Sequence, residues 1–107
     1  MAYVFLAAAI GAEVVGTLCL RASEGLSKAP FVAVVITGYV AAFILLSLAL
    51  DRGLPLGVAY GIWAAAGVAS VAVLSVPLFG ESLSALQVGG LVLVVLGVFA
   101  LEIGATG

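Results

Sequence analysis

The chain has 107 residues, of which 66% are hydrophobic and only 7% are charged, and its formal net charge is −2. A soluble domain of this length leaves much of its surface in water, so it cannot bury that much apolar side chain. The composition is typical of an integral membrane protein. The small net charge gives no reason to expect a nucleic-acid partner.

Four apolar segments are each long enough to cross a bilayer, which takes about 20 largely apolar residues. They cover residues 3–20, 31–50, 56–79 and 85–103, and the linkers between them carry most of the charged side chains. Because every linker is short, consecutive helices must be antiparallel neighbours. No basic region precedes the first segment, so we expect it to remain in the mature protein. The predicted fold is an all-α integral membrane protein with one four-helix transmembrane domain over residues 1–107.

The first segment contains an acid, Glu13, within the stretch GAEVVGTLCLR. An ionised carboxylate near the bilayer centre costs about 2.5–3.5 kcal/mol on insertion scales, so it normally faces a protein interior or a water-filled cavity. On a helix, Gly16 leaves open space beside the carboxylate and Thr17 adds a hydroxyl one turn away. The four segments contain no Lys, Arg or His that could form a salt bridge. We interpret Glu13 as a group that binds a cation or a proton; a protonated Glu hydrogen-bonded between helices is the structural alternative.

Three aromatic residues accompany this acid at membrane depth. Tyr39 lies near the middle of the second segment, where an interfacial anchor has no purpose. Tyr60 and Trp63 share a face of the third helix, and anchoring at the membrane interface is the alternative interpretation for these two. A carboxylate facing aromatic rings attracts organic cations through both charge and cation–π contact. The pattern therefore predicts a binding site for small organic cations.

The fourth segment begins directly after Ser84. The spacing of Ser84 and Gln87, which lies in the first turn of this segment, fits a capping box. Further along, Gly90 and Gly97 are seven residues apart and lie on one face. Small residues let membrane helices approach closely, although glycine is also generally frequent in such helices. Four short helices are too few to surround a polar pathway, whereas a dimer would have eight. We therefore predict that Gly90 and Gly97 lie at the interface of a homodimer.

Lys and Arg are almost evenly divided between the two sides of the membrane. The chain ends and the second linker share one side, which has Arg52 and the N-terminal amine, while the other side has Arg21 and Lys28. Orientation normally follows an asymmetry in these residues. Insertion in a single orientation is one interpretation of so weak a signal. Insertion in both orientations is the one we favour, because no long loop can decide the matter.

The pieces AEVVGT, RASEGL and GVAYGIW, followed by a glycine-bearing fourth helix, resemble the small multidrug resistance family over essentially the whole chain. The resemblance implies a proton-coupled antiporter of a bacterial inner membrane, working without a cofactor as a homodimer that often has inverted subunits. It implies that Glu13 is shared by proton and substrate. It also implies that the three aromatic residues line the site and that the two glycines form the dimer seam.

Gly16 and Thr17 indicate which branch of the family the chain resembles. Exporters of small guanidinium compounds typically have a Trp close after the membrane Glu, whereas exporters of bulky quaternary ammonium cations have Gly-Thr there. The sequence departs from the family at Ala42, where Ser is frequent, and at Glu102, an additional acid near the end of the fourth helix. We expect Glu102 to be hydrated at the interface.

Several other functions remain open at this point. A guanidinium exporter of the same family and a non-transporting partner subunit of a heterodimer are the closest alternatives. A proton-carrying rotary subunit also uses one membrane carboxylate, but it needs neither four spans nor rings around the acid. Nothing in the sequence indicates an enzyme.

Overall fold

A computed structural model describes residues 1–106 of the chain, with the side chains of residues 1–104. This part of the chain is all-α, as predicted, and each of its helices is long and apolar enough to cross a membrane. The helices are α1 (Ala2–Ala22), α2 (Ala29–Asp51), α3 (Leu56–Phe79) and α4 (Ala85–Thr106).

The helices form two compact units, each a helical hairpin. The N-terminal hairpin, Met1–Leu54, pairs α1 with α2, and the C-terminal hairpin, which begins at Pro55, pairs α3 with α4. Short connections between consecutive helices require this antiparallel pairing.

The helix ends follow the local signals in the sequence. Pro30 lies in the first turn of α2, where its missing N–H costs no hydrogen bond. The predicted capping box is confirmed: the Ser84 N–H donates to Gln87 Oε1 at 2.8 Å, and the Gln87 N–H donates to Ser84 Oγ at 3.1 Å. Gly80 ends α3 in the left-handed conformation, with φ 69°. Pro77 lies inside α3, which continues to Phe79.

The N-terminal hairpin buries mostly small and aliphatic side chains. Lipid tails are as apolar as leucine, so membrane helices associate through close packing rather than through the hydrophobic effect, and small residues favour that packing. At one end of the hairpin, the Arg52 guanidinium carbon lies 5.2 Å from the centre of the Phe5 ring. The buried residues are Leu6, Ala9, Val14 and Gly16 of α1, and Val35, Ala42, Leu46 and Ala49 of α2.

The loop between α1 and α2 is organised around Ser23, which is fully buried. Its hydroxyl donates to the Leu20 carbonyl at 2.7 Å and accepts from the Leu26 N–H at 3.0 Å. Its carbonyl accepts from the N–H groups of Ser27 and Lys28. These bonds satisfy groups that the end of α1 would otherwise leave unpaired.

This compact loop contains three consecutive left-handed residues: Glu24 with φ 52°, Gly25 with φ 73° and Leu26 with φ 68°. Glycine adopts such a conformation without steric cost, whereas each of the other two stores about 1–3 kcal/mol of strain. The salt bridge from Lys28 Nζ to Glu24 Oε1, 3.4 Å long, is exposed and offsets little of that strain. The Ser23 bonds therefore hold a strained turn in place.

We expect Leu26→Gly to raise the free energy of unfolding by about 1 kcal/mol, because it removes the left-handed strain from a side chain that is 56% exposed. Unfolding in mixed micelles measures this. Leu26→Ala is the control, since it removes most of the side chain but keeps the Cβ and the strain. Equal stabilisation by both variants contradicts the strain argument.

Candidate cation site

Glu13 lies in the middle of α1, and Thr17 holds one of its carboxylate oxygens. The Thr17 hydroxyl, one helical turn further on, donates to Glu13 Oε1 at 3.0 Å. Thr17 Oγ1 also lies 2.7 Å from the Tyr39 hydroxyl oxygen on α2. The three side chains thus form one hydrogen-bonded chain across the N-terminal hairpin.

The donors in this chain have a fixed order. A threonine hydroxyl has one hydrogen to donate. Since Thr17 gives that hydrogen to Glu13, the Tyr39 hydroxyl must be the donor in the bond to Thr17. In a donor chain of this kind, each bond polarises the next.

The second oxygen of Glu13 is in a different position. Glu13 Oε2 is buried and has no hydrogen-bond partner among the residues that the structure describes. A buried polar atom of this kind calls for a functional or structural explanation, because such atoms are nearly always paired. One oxygen of Glu13 is therefore engaged, and the other has no partner among the described residues.

Gly16 borders the same cluster, but the Tyr39 ring lies close beside it. A Cβ at Gly16 would lie 3.6 Å from Tyr39 Cε1 and from the Val35 carbonyl oxygen. These are ordinary van der Waals distances, so the sequence-based expectation of open space at Gly16 is too simple. Within this hairpin, the small residue makes room for the Tyr39 ring.

In the C-terminal hairpin, Tyr60 and Trp63 are in contact. Their ring centroids are 5.6 Å apart with an interplanar angle of 71°, an edge-to-face arrangement. Trp63 is buried, whereas Tyr60 is 56% exposed. The exposure of Tyr60 is compatible with either of its two interpretations, a substrate contact or an interfacial anchor.

The two glycines of α4 that were predicted to lie at the dimer interface, Gly90 and Gly97, are exposed. A Cβ at Gly90 or at Gly97 would meet no atom within 4 Å. Gly97 also lines an open groove between α3 and α4, with Gly61 and Ala64 on the facing helix. No residue of α4 is buried over its described side chains, residues 85–104.

The structure thus brings part of the predicted site together within each hairpin. Glu13, Gly16, Thr17 and Tyr39 form one group, and Tyr60 and Trp63 form another. Ala42 is fully buried in the N-terminal hairpin, at the position where the family often has Ser. Glu102 is partly exposed on α4. That both groups belong to one site remains a prediction.

Sequence analysis missed Gly38, which precedes Tyr39. A Cβ there would lie 2.9 Å from the Ala12 carbonyl oxygen, closer than real side chains come to backbone. In the sequence, the sign of its importance is that this glycine is next to a mid-span aromatic residue. Only the tertiary structure shows that Gly38 faces α1.

Comparison with known proteins identifies the family. The family model described as Small Multidrug Resistance protein matches residues 1–94. The chain belongs to the small multidrug resistance family. This confirms the family predicted from the sequence, which is a family of efflux transporters rather than of enzymes. With the four apolar helices, it makes the chain a multi-pass protein of the inner membrane.

Several relatives in this family are similar over nearly their whole length. The chain is 36% identical to multidrug resistance protein mmr of Mycobacterium leprae over 103 residues, 96% of each chain. It is 42% identical over 101 residues to quaternary ammonium compound-resistance protein QacE of Escherichia coli, covering 94% of this chain and 91% of QacE. It is also 42% identical over 98 residues to multidrug resistance protein EbrB of Bacillus subtilis, covering 92% of this chain and 83% of EbrB. These names agree with the branch that Gly16 and Thr17 predict.

Proposed function

We propose that the chain is a proton-coupled antiporter that exports bulky organic cations, with Glu13 as the residue that proton and substrate share. The observation that carries this proposal is the unequal state of the two carboxylate oxygens. Thr17 donates to Oε1, while Oε2 is buried and has no partner among the described residues. Oε2 is therefore the atom at which a proton and a cation exclude each other.

The exclusion follows from elementary electrostatics. When Glu13 is ionised, its charge attracts a cation; when it is protonated, the site has no charge with which to hold one. An ionised carboxylate without a partner is costly at membrane depth, so occupation by either ligand is favoured over an empty charged site. Export follows if the protein changes the side to which the site opens only when the site is occupied. Protons then enter as cations leave, and the proton gradient drives transport without a cofactor.

The substrate class follows from the aromatic residues and from the family. We propose that the rings of Tyr39, Tyr60 and Trp63 contact hydrophobic or quaternary ammonium cations, since flat rings attract cations of varied shape. The name of QacE, which refers to quaternary ammonium compounds, supports this choice over small guanidinium compounds. So do Gly16 and Thr17, which occupy the place where that other branch has Trp.

The assembly we propose is a homodimer with inverted subunits. Its support is the exposure of α4, a membrane helix with no buried residue in its described part. Gly90 and Gly97 leave the backbone of this helix open to a second copy. Two inverted copies would reproduce, in two chains, the inverted repeats that larger transporters contain in one.

The role of Glu13 is tested by proton release from detergent-solubilised protein when tetrapropylammonium is added, from mildly acidic to mildly alkaline buffer. We expect the wild-type protein to release protons on binding. Glu13→Gln should bind no cation and release no protons, because an amide cannot ionise. Glu13→Asp should retain binding, since it keeps a carboxylate. Unchanged helicity and elution volume check the fold of each variant. Cation binding without proton release at every pH, or normal release by the Gln variant, contradicts the shared-site mechanism.

Trp63→Ala should weaken the binding of a planar aromatic cation such as ethidium by about tenfold, because stacking and cation–π contact are lost. Tetrapropylammonium should lose less affinity, since its binding depends mainly on the charge of Glu13. Trp63→Phe is the control that keeps an aromatic face. Dissociation constants of the two cations for each variant provide the measurement, and an equal loss for both cations argues against ring contact.

Inverted subunits are tested with an exposed cysteine at Ser82, in the linker between α3 and α4, introduced by Ser82→Cys into a Cys19→Ser variant. A membrane-impermeant maleimide should label about half of the molecules from each side, because the Lys and Arg balance favours neither orientation. Leu26→Lys, added to the same labelled variant, places one more charge on that side of the membrane and should bias the ratio. Labelling from one side only refutes dual insertion.

A further inference from the structure

The backbones of α1 and α2 approach each other closely at Gly38. A Cβ at this position would lie 2.9 Å from the Ala12 carbonyl oxygen, 3.3 Å from Gly16 Cα and 3.4 Å from Gly16 N. All three atoms belong to the backbone of α1, so a rotamer change cannot relieve the contact. Any side chain at position 38 must therefore push the helices apart or rotate one of them.

This contact point is next to all three members of the hydrogen-bonded chain. Ala12 precedes Glu13, Gly16 precedes Thr17, and Gly38 precedes Tyr39. The bond between the two helices is short, with 2.7 Å from the Tyr39 hydroxyl oxygen to Thr17 Oγ1. Relief of the 2.9 Å contact needs a shift of a few tenths of an ångström, which takes these oxygens to or beyond the limit of about 3.0 Å for two hydroxyls.

The consequence for Glu13 follows from the order of donors. Tyr39 gives its hydrogen to Thr17, which leaves the Thr17 hydrogen directed at Glu13 Oε1. Without Tyr39, the Thr17 hydroxyl has no donor on it and polarises the carboxylate less. The hydrogen bond from Thr17 is what distinguishes Glu13 Oε1 from Oε2.

We propose that Gly38 is a positioning residue for the Glu13 carboxylate. Its bare backbone sets the distance between α1 and α2 at which Tyr39 donates to Thr17 and Thr17 to Oε1, so that Oε2 remains the oxygen for proton and cation. The inference rests on the proposed function of Glu13 and extends it to a residue that touches neither ligand.

The test uses four variants at one fixed pH: Gly38→Ala, Tyr39→Phe, the double variant, and Gly11→Ala as the matched control. Gly11 lies in the same hairpin, and a Cβ there would meet nothing within 4 Å. Dissociation constants for tetrapropylammonium are measured together with the infrared carboxylate band of Glu13, identified by its loss in Glu13→Gln. The band reports the hydrogen bonds on the carboxylate, which general packing damage does not mimic.

We expect Gly38→Ala and Tyr39→Phe each to weaken binding by about tenfold, the size of one hydrogen bond that supports a charged group. The double variant should be no weaker than Tyr39→Phe alone, because both changes break the same bond. Both single variants should shift the Glu13 band in the same direction, while Gly11→Ala leaves affinity and band unchanged. Multiplied losses in the double variant, or an unshifted band in Gly38→Ala, overturn the proposal.

If Gly38→Ala does not fold, Tyr39→Phe still decides the matter, since it adds no atoms. If the Glu13 band does not shift in Tyr39→Phe, the hydrogen-bonded chain on which the proposal depends is contradicted. The outcomes also separate the two proposals. Wild-type protein that binds cations without proton release refutes the shared role of Glu13, whereas normal release together with multiplied losses refutes only the role of Gly38.

Discussion

The placement of one carboxylate inside a helix that must cross lipid constrains the whole N-terminal hairpin. Glu13 cannot face hydrocarbon in its ionised form, and α1 contains no basic residue at matching depth to neutralise it. The available stabilisation is a donor on the same helix, Thr17, supported by a phenol on the neighbouring helix, Tyr39. The contact between Tyr39 and Thr17 requires α1 and α2 to lie close together.

That closeness explains the choice of residues around the acid. A membrane interior offers no hydrophobic drive for helix association, so contact depends on close packing of backbones and small side chains. Ala9 and Ala42 are fully buried, and Gly16 and Gly38 bring backbone to backbone. A tight, strained loop around Ser23 joins the same two helices. The hairpin that holds the acid is thus built for fixed geometry.

The C-terminal hairpin has a different character. Its α3 buries Trp63 and several small residues, but no described side chain of α4 is buried. A helix of this kind is adapted to contact with lipid or with another chain. The proposed homodimer would place a second copy of the chain against this exposed helix.

Much of this architecture could be predicted from the sequence. Long apolar runs determine four membrane-length helices, because a segment of about 20 residues satisfies its own backbone hydrogen bonds in lipid only as a helix. Ser84 and Gln87 determine the start of α4 through bonds that span only three residues. The isolation of Glu13 as the acid within an otherwise apolar segment also makes it a candidate functional residue without any structural information.

Other features were decided only by the tertiary structure, because they depend on atoms distant in the sequence. The bond between Thr17 and Tyr39 joins positions 22 residues apart, and its register depends on how α1 and α2 cross. The same crossing gives Gly38 its importance and places the Tyr39 ring beside Gly16, where the sequence had indicated open space. Hydropathy identifies a membrane-length helix, but it does not indicate which face of that helix packs against its neighbour. The sequence therefore determined which helices form and which of them contains Glu13, whereas packing between the helices decided that Tyr39 supports the held oxygen of Glu13 and that the other oxygen is buried without a described partner.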